Sequence, residues 1–390
     1  MDGVDVVCTP FDPSINDDPY PVYARLRREA PIYHNPDLDF WALSRHADVS
    51  AAFTDSARYS SDHGPMLDRG AWGPQARTYL SFVAMDPPEH TRMRAIVSRA
   101  FTPRRVAALE PLIRKLARGY IEQGLERGTF DFARDLSAKL PLDVISELMG
   151  VPPADRADVR RKSVTLVSYN PQGKMADDAL QGIMSLGEYY TSIVDDRRVA
   201  LRDDLVSALV ADGGLTAEEI VAFIFLLIGA GSETTTHLLS AAWYWAWRNP
   251  DQRAAAFGGA ITPWVEESLR YDTPAHGLAR RLTEPTELHG TLVPEHAKIW
   301  LLIGSANRDE SVFPDPDVYD LTRDTSRGIS FGVGRHYCLG GPLARLEARV
   351  TLEELTKAVS PGYEIHEGIR RTAHGNVRGM VSLPATVTAG

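Results

Sequence analysis

The chain has 390 residues, 44% hydrophobic and 24% charged, with 30 Gly, 26 Pro and 2 Cys. These are globular proportions, and they exclude a disordered tail, a collagen or coiled-coil rod and a disulfide-stapled scaffold. The formal net charge of -10 makes nucleic acid a poor default partner. Residues 1–18 are acidic and lack the basic and then apolar segments of a secretory signal, so a loose leader is expected. Length alone predicts two or three domains. No Ser/Gly linker or internal repeat divides the chain, however, and 1–390 reads as a single unit, mainly α with a minor β portion. The most apolar stretch, Ile220 to Ile228, falls short of the roughly 20 residues of a membrane span. With two cysteines far apart in sequence, a soluble cytoplasmic protein with no membrane partner is expected.

In chain order, Pro21, Val22 and Leu26 predict a short helix over 19–30. Asn35, Pro36 and Asp37 between apolar runs predict a β-hairpin over 31–43. A helix over 44–58 follows. Residues 59–84 carry Gly64, Pro65, Gly70, Gly73 and Pro74 with little periodicity, which predicts a long loop of the kind that is often functional. Helices dominate from Glu89 to about Gly150 and resume over 154–169, 176–199 and 203–212. Leu215 to Trp247 reads as one long helix, with a capping box at Thr216-Ala217-Glu218-Glu219 and a stop at Arg248-Asn249-Pro250. It would reach about 48 Å, enough to cross a domain. A short helix over 263–271, a strand-rich stretch over 278–304 and short strands over 362–388 complete the chain.

Two segments break local rules. Inside the long helix, Gly229 and Gly231 each cost about 1 kcal/mol against Ala. Either another helix packs closely there or a flat group lies against this wall. A Thr hydroxyl in mid-helix can also bond a backbone carbonyl and open a kink. The second segment is Phe331-Gly332-Val333-Gly334-Arg335-His336-Tyr337-Cys338-Leu339-Gly340-Gly341-Pro342. Pro342 suits a first helical turn, which places Cys338 just before a helix N-terminus, where backbone N–H groups and the dipole lower a thiol pKa. The glycines let the backbone approach something flat. Taken alone, Cys338 is more often a small buried hydrophobe. A phosphate loop would need Gly-Lys-Ser/Thr and a zinc site further Cys or His at short spacing, and neither follows.

The spacing Phe331-Gly332-x-Gly334-Arg335-His336-x-Cys338-x-Gly340 resembles the haem-binding loop of the cytochrome P450 family, in which the cysteine thiolate is the axial ligand of iron. Ala230-Gly231-Ser232-Glu233-Thr234-Thr235 resembles the family's oxygen-activation motif, with Glu where many members carry Asp. Resemblance extends from about Asp18 to the C-terminus. It implies the P450 fold, with haem held by His90, Arg94, Ala230, Arg280, Phe331, Gly332, His336, Cys338 and Gly340, and Cys338 on the metal. Thr234 and Glu233 are implied as catalytic, the first stabilising bound dioxygen and the second relaying protons. Glu267 and Arg270 are implied as a structural ion pair. Members often place a third partner where this chain has Val318, and Arg323 could substitute.

Pocket walls are then expected from 60–84, 163–190, 223–234, 274–279 and 375–379, with Met66, Trp72, Phe82, Tyr169, Phe223, Leu226, His276 and Leu278 as lining candidates. Arg69 or Arg77 could anchor a carboxylate. The resemblance implies a monooxygenase that uses haem b and O2 on an apolar or amphipathic small molecule, with electrons from a ferredoxin and its reductase. Alternatives are a peroxide-driven or isomerising haem-thiolate enzyme, which would not need the Glu233-Thr234 pair, and a non-catalytic haem protein that binds ligands. Residues 90–118 hold Arg92, Arg94, Arg99, Arg104, Arg105, Arg114, Lys115 and Arg118 against Glu110 alone. That run is either a solvated face or a landing surface for an acidic ferredoxin.

Overall fold

The protein is described by a computed structural model covering residues 6–68, 71–166, 179–372 and 375–390. A helix spanning Ala217–Arg248 organises it. Its capping box forms as the sequence predicts: the Glu219 amide donates to Thr216 Oγ1 at 3.2 Å and the Thr216 amide donates to Glu219 Oε2 at 2.9 Å. Helices Leu140–Leu148, Ala179–Val199, Ile261–Tyr271 and Gly341–Ala358 pack around it. By length and composition this helix could cross a membrane, a property that counting consecutive apolar residues missed. Here its apolar residues supply the core. Near its end, Trp243 is fully buried between the rings of Phe132 and Tyr363, stacked at 5.1 and 3.6 Å. Burial on that scale contributes about 25 cal/mol per Å² of apolar surface.

The minor β portion is led by a five-stranded sheet ordered Ile32–Asn35, Phe40–Leu43, Lys298–Leu301, Leu278–Leu282, Tyr59–Ser60. Phe40–Leu43 and Lys298–Leu301 run parallel and the other neighbours antiparallel. Side chains alternate across a strand. On Leu278–Leu282 this sends Arg280 into the interior and Arg281 out to Asp62, 2.6 Å away.

Two expectations need correction. Residues 6–18 are not loose: Val6 and Cys8 are buried, Pro13–Asp17 is a helical turn capped by Asp12, and Arg378 donates to the carbonyls of Asn16 and Asp17. The 59–84 segment is not an unbroken loop, since Tyr59–Ser60 joins the sheet and Arg77–Leu80 is helical. Proline and glycine density hid these short pieces.

Behind the cysteine loop, Arg270 donates to both Glu267 oxygens at 2.7 Å, and both side chains are buried. Arg323 completes the group, with Nε 3.4 Å from Glu267 Oε1 and further donation to the carbonyls of Pro314, Asp315 and Val318. Val318 itself is exposed. The two guanidiniums thus tie Ile261–Tyr271 to the 313–323 segment. Arg270→Ala would leave Glu267 buried and undercompensated, and a cost of about 3–5 kcal/mol is expected. Arg25→Ala, which removes an exposed pair with Glu29, should cost under about 1 kcal/mol. Thermal unfolding of the two variants checks that ranking.

Candidate active site

The cysteine loop turns at Gly332 and Gly334, with φ of 68° and 75°, a region that disfavours side chains. A Cβ at Gly334 would also stand 3.0 Å from the Phe53 carbonyl oxygen. The Cys338 amide donates to the Phe331 carbonyl at 2.9 Å, and Pro342 lies in the first turn of Gly341–Ala358. Phe331 is covered by the Arg345 guanidinium at 4.4 Å, itself paired with Glu266 at 2.6 Å. Burial pushes the Cys338 thiol above its ordinary value; the Gly340 and Gly341 amides and the charges of Arg94 and Arg345 pull it down without prevailing.

The wall of the central helix resolves the two readings of its glycines. A Cβ at Gly231 would press on Ile145 at 3.0 Å, so this glycine permits close packing; one at Gly229 would meet nothing. Ala230 is exposed in mid-helix, and Glu233 and Thr234 are half-buried. Thr234 Oγ1 donates to the Ala230 carbonyl at 2.7 Å, the back-bond allowed for in the sequence, yet the helix runs unbroken from Ala217 to Arg248. Glu233 Oε1 stands 3.6 Å from His237 Nε2.

Two arginines and two histidines converge beside the cysteine loop. His90 and Arg94 lie one turn apart on Glu89–Ala100, His336 comes from the loop and Arg280 from the sheet. The His90 and His336 rings are 4.1 Å apart. Burial, then the charges of Arg280, His90 and Arg94, depress His336 to about 2; burial and Arg94 also lower His90. Burial lowers Arg280 to about 10. The carboxylate acting on His90 and Arg280 is Asp86, which already accepts from Ser60 Oγ and the Ser61 amide. Ser61 Oγ meets His336 Nε2 at 3.2 Å, leaving His336 Nδ1 and His90 Nε2 buried without partners among the described residues. Arg280 donates to its own neighbour's carbonyl, Ala279, at 2.9 Å. Such a cluster is built to receive an anion.

Of the lining candidates, Phe82 and Phe223 meet at 6.1 Å, and Phe82 also lies against His90 and under Arg94. Leu226 is buried on the same helix as Phe223. Met66 is half-buried. Three candidates turn elsewhere. Trp72 packs on His63 and Lys298. Leu278 joins the apolar cluster of the sheet. His276 is buried between Tyr20 and Tyr23, at 5.7 and 5.3 Å, because glycine at 304 leaves its ring room. Arg77 is exposed and pairs with Glu89 at 2.9 Å. Tyr169 and Arg69 lie outside the described residues. Sequence reasoning missed His237, Arg345 and the Ser60–Ser61–Asp86 support. Of these only His237 carried a signal, its i+4 spacing from Glu233.

The cytochrome P450 family profile matches residues 261–358. The chain is 43% identical to the protein designated cytochrome P450 123 of Mycobacterium tuberculosis, over 99% of this chain and 98% of that one. It is 38% identical to vitamin D(3) 25-hydroxylase of Pseudonocardia autotrophica, over 95% and 94%. The structure of cytochrome P450 CYP109Q5 from Chondromyces apiculatus superposes with a TM-score of 0.89 at 34% identity, covering 98% of both chains. The chain belongs to the cytochrome P450 family, as a haem-thiolate monooxygenase that uses haem and O2. Its residues fit that group: a sulfur flanked by two backbone donors, a helix wall opened at Ala230 and Gly229, and buried donors lacking anions where two propionates would lie.

His276 generates a prediction away from this centre. Burial and then Arg378 depress it to about 3. Between pH 6.5 and 3 the unfolded chain therefore binds a proton there that the folded chain does not, and stability is lost as pH falls, by up to about 1.4 kcal/mol per pH unit. His276→Gln should flatten the decline of melting temperature between pH 6.5 and 4.5.

Proposed function

We propose that this protein is a cytoplasmic monooxygenase holding haem b through Cys338 and hydroxylating an apolar, sterol-like small molecule with electrons from a ferredoxin. The observation that carries it is the anion-seeking cluster of His90, Arg94, Arg280 and His336, gathered beside the loop that holds Cys338, with Arg94 donating to the Tyr337 carbonyl and the His90 and His336 rings 4.1 Å apart. Thiolate-ligated haem supplies the activation of dioxygen and the insertion of one oxygen atom. The protein's own residues do the rest. His90, Arg94, Arg280 and His336 bind the propionates by charge-assisted hydrogen bonds. Phe331, Gly332 and Gly340 let the loop backbone lie close. Thr234, whose hydroxyl donates to the Ala230 carbonyl at 2.7 Å, is held by that bond to stabilise dioxygen. Glu233 moves protons at its carboxylate to that position. A peroxide-driven or purely ligand-binding protein has no use for such a pair.

Substrate class is drawn from two supports. Phe82, Phe223 and Leu226 make an apolar wall beside the site. A 38% identical relative is named for hydroxylating vitamin D(3). Optical titration of the ferric protein with secosteroids, steroids, fatty acids and aromatic acids tests the reading. A saturable Soret shift with the first two classes is expected, and Cys338→Ala should abolish the thiolate-type spectrum altogether. Shifts with fatty or aromatic acids alone would move the substrate class, and a thiolate spectrum in Cys338→Ala would overturn the ligand.

The ferredoxin is proposed from the basic run, now reduced in extent. Arg92 pairs with Glu219, Arg99 with Asp212, Arg105 with Asp203 at 3.7 Å, and Arg114 and Arg118 with Glu354. Arg104 and Lys115 have no ion pair among the described residues and carry the landing charge. Arg104→Glu with Lys115→Glu should slow reduction by an acidic ferredoxin and flatten its salt dependence. Stopped-flow reduction across a salt series checks both.

A further inference from the structure

We infer that His237 is a positioning residue in proton delivery, a buried imidazole that restores to Glu233 the proton it gives away. The inference rests on the role proposed for Glu233. His237 lies one turn beyond Glu233 on the central helix; their side chains are 2% and 13% exposed, and Nε2 stands 3.6 Å from Oε1. Among the described residues no other ionisable side chain reaches Glu233 within ion-pair distance. The separation exceeds a hydrogen bond by a few tenths of an ångström, which a small side-chain rotation closes.

Two independent observations point to use rather than filling. Neither ring nitrogen of His237 has a hydrogen-bond partner among the described residues, and an unsatisfied buried polar group costs about 1–3 kcal/mol. An apolar side chain would fill the space without that cost. In addition, a Cβ at Gly379 would fall inside the imidazole ring, against Cγ and Nδ1. The tail segment is thus cut back to bare backbone at the one point that lets the ring stand beside Glu233, with Nδ1 turned to the tail. An imidazole can release a proton from one nitrogen and take one up on the other. The step is a proton transfer only. The imidazolium Nε2–H breaks as Glu233 Oε1–H forms, Glu233 passes a proton on towards Thr234, and the neutral Nδ1–H ring left behind regains a proton at Nε2 from a solvent hydronium ion. No electrons move.

The test uses the haem-loaded protein. Glutamine at 237 keeps a donor and an acceptor beside Glu233 but cannot shuttle a proton, so His237→Gln separates relay from packing. It should lower the fraction of electrons recovered in product several-fold and raise the solvent isotope effect on turnover, with the substrate-induced Soret shift and melting temperature unchanged. His237→Asn serves should the glutamine variant fail to fold. Independently of turnover, 13C-histidine NMR of the carbon monoxide-bound ferrous protein should show the His237 ring resonances shifting in Glu233→Gln, because the ring stands 3.6 Å from that carboxylate. Wild-type coupling in His237→Gln alongside uncoupling in Glu233→Gln overturns the inference alone, as do His237 resonances that ignore Glu233→Gln. Wild-type coupling in Glu233→Gln overturns the Glu233 reading and this inference together.

Discussion

Arg280 enters the interior from a strand, His90 and Arg94 from a helix and His336 from a loop, and burial works against charge on each of them. The protein offers Asp86 against this group, and Asp86 is already engaged by Ser60 and Ser61. Burial holds the two imidazoles neutral, and the charge left on the guanidiniums of Arg94 and Arg280 is desolvated with little counter-charge, which destabilises a fold. An anionic group bound among them would relieve that cost, coupling its binding energy to the stability of the elements that converge here.

The neutralised charges on the opposite side of the cysteine loop show the contrast. Glu267, Arg270 and Arg323 satisfy one another and a row of carbonyls in the 314–318 segment. Arg345 joins the two regions, paired with Glu266 next to Glu267 and lying on Phe331 beside the cysteine. One rigid support therefore fixes the helix, the loop and the sulfur together, while the cation cluster is left responsive to its ligand.

Much of this was legible in the sequence, because long-range function was written in short-range patterns. The cysteine loop, the capping box at Thr216 and Glu219, and the i+3 pair of Glu267 and Arg270 are all local signatures, and each appears where the spacing puts it. What escaped depends on contacts across hundreds of residues. His276 resembles a pocket residue in sequence but packs against Tyr20 and Tyr23, more than 250 positions earlier. Arg323 was visible only as an alternative to Val318, since the loop that aims it at Glu267 is irregular.

The N-terminal segment has a bearing on chemistry far from it. Arg378 grips the carbonyls of Asn16 and Asp17, its own amide donates to Pro274, and its neighbour Gly379 lies on His237. The first turn of the chain thereby acts as a clasp on the tail that roofs the central helix. A fusion or truncation at this end would reach the catalytic wall through that clasp, so the two ends of the polypeptide behave as one mechanical part.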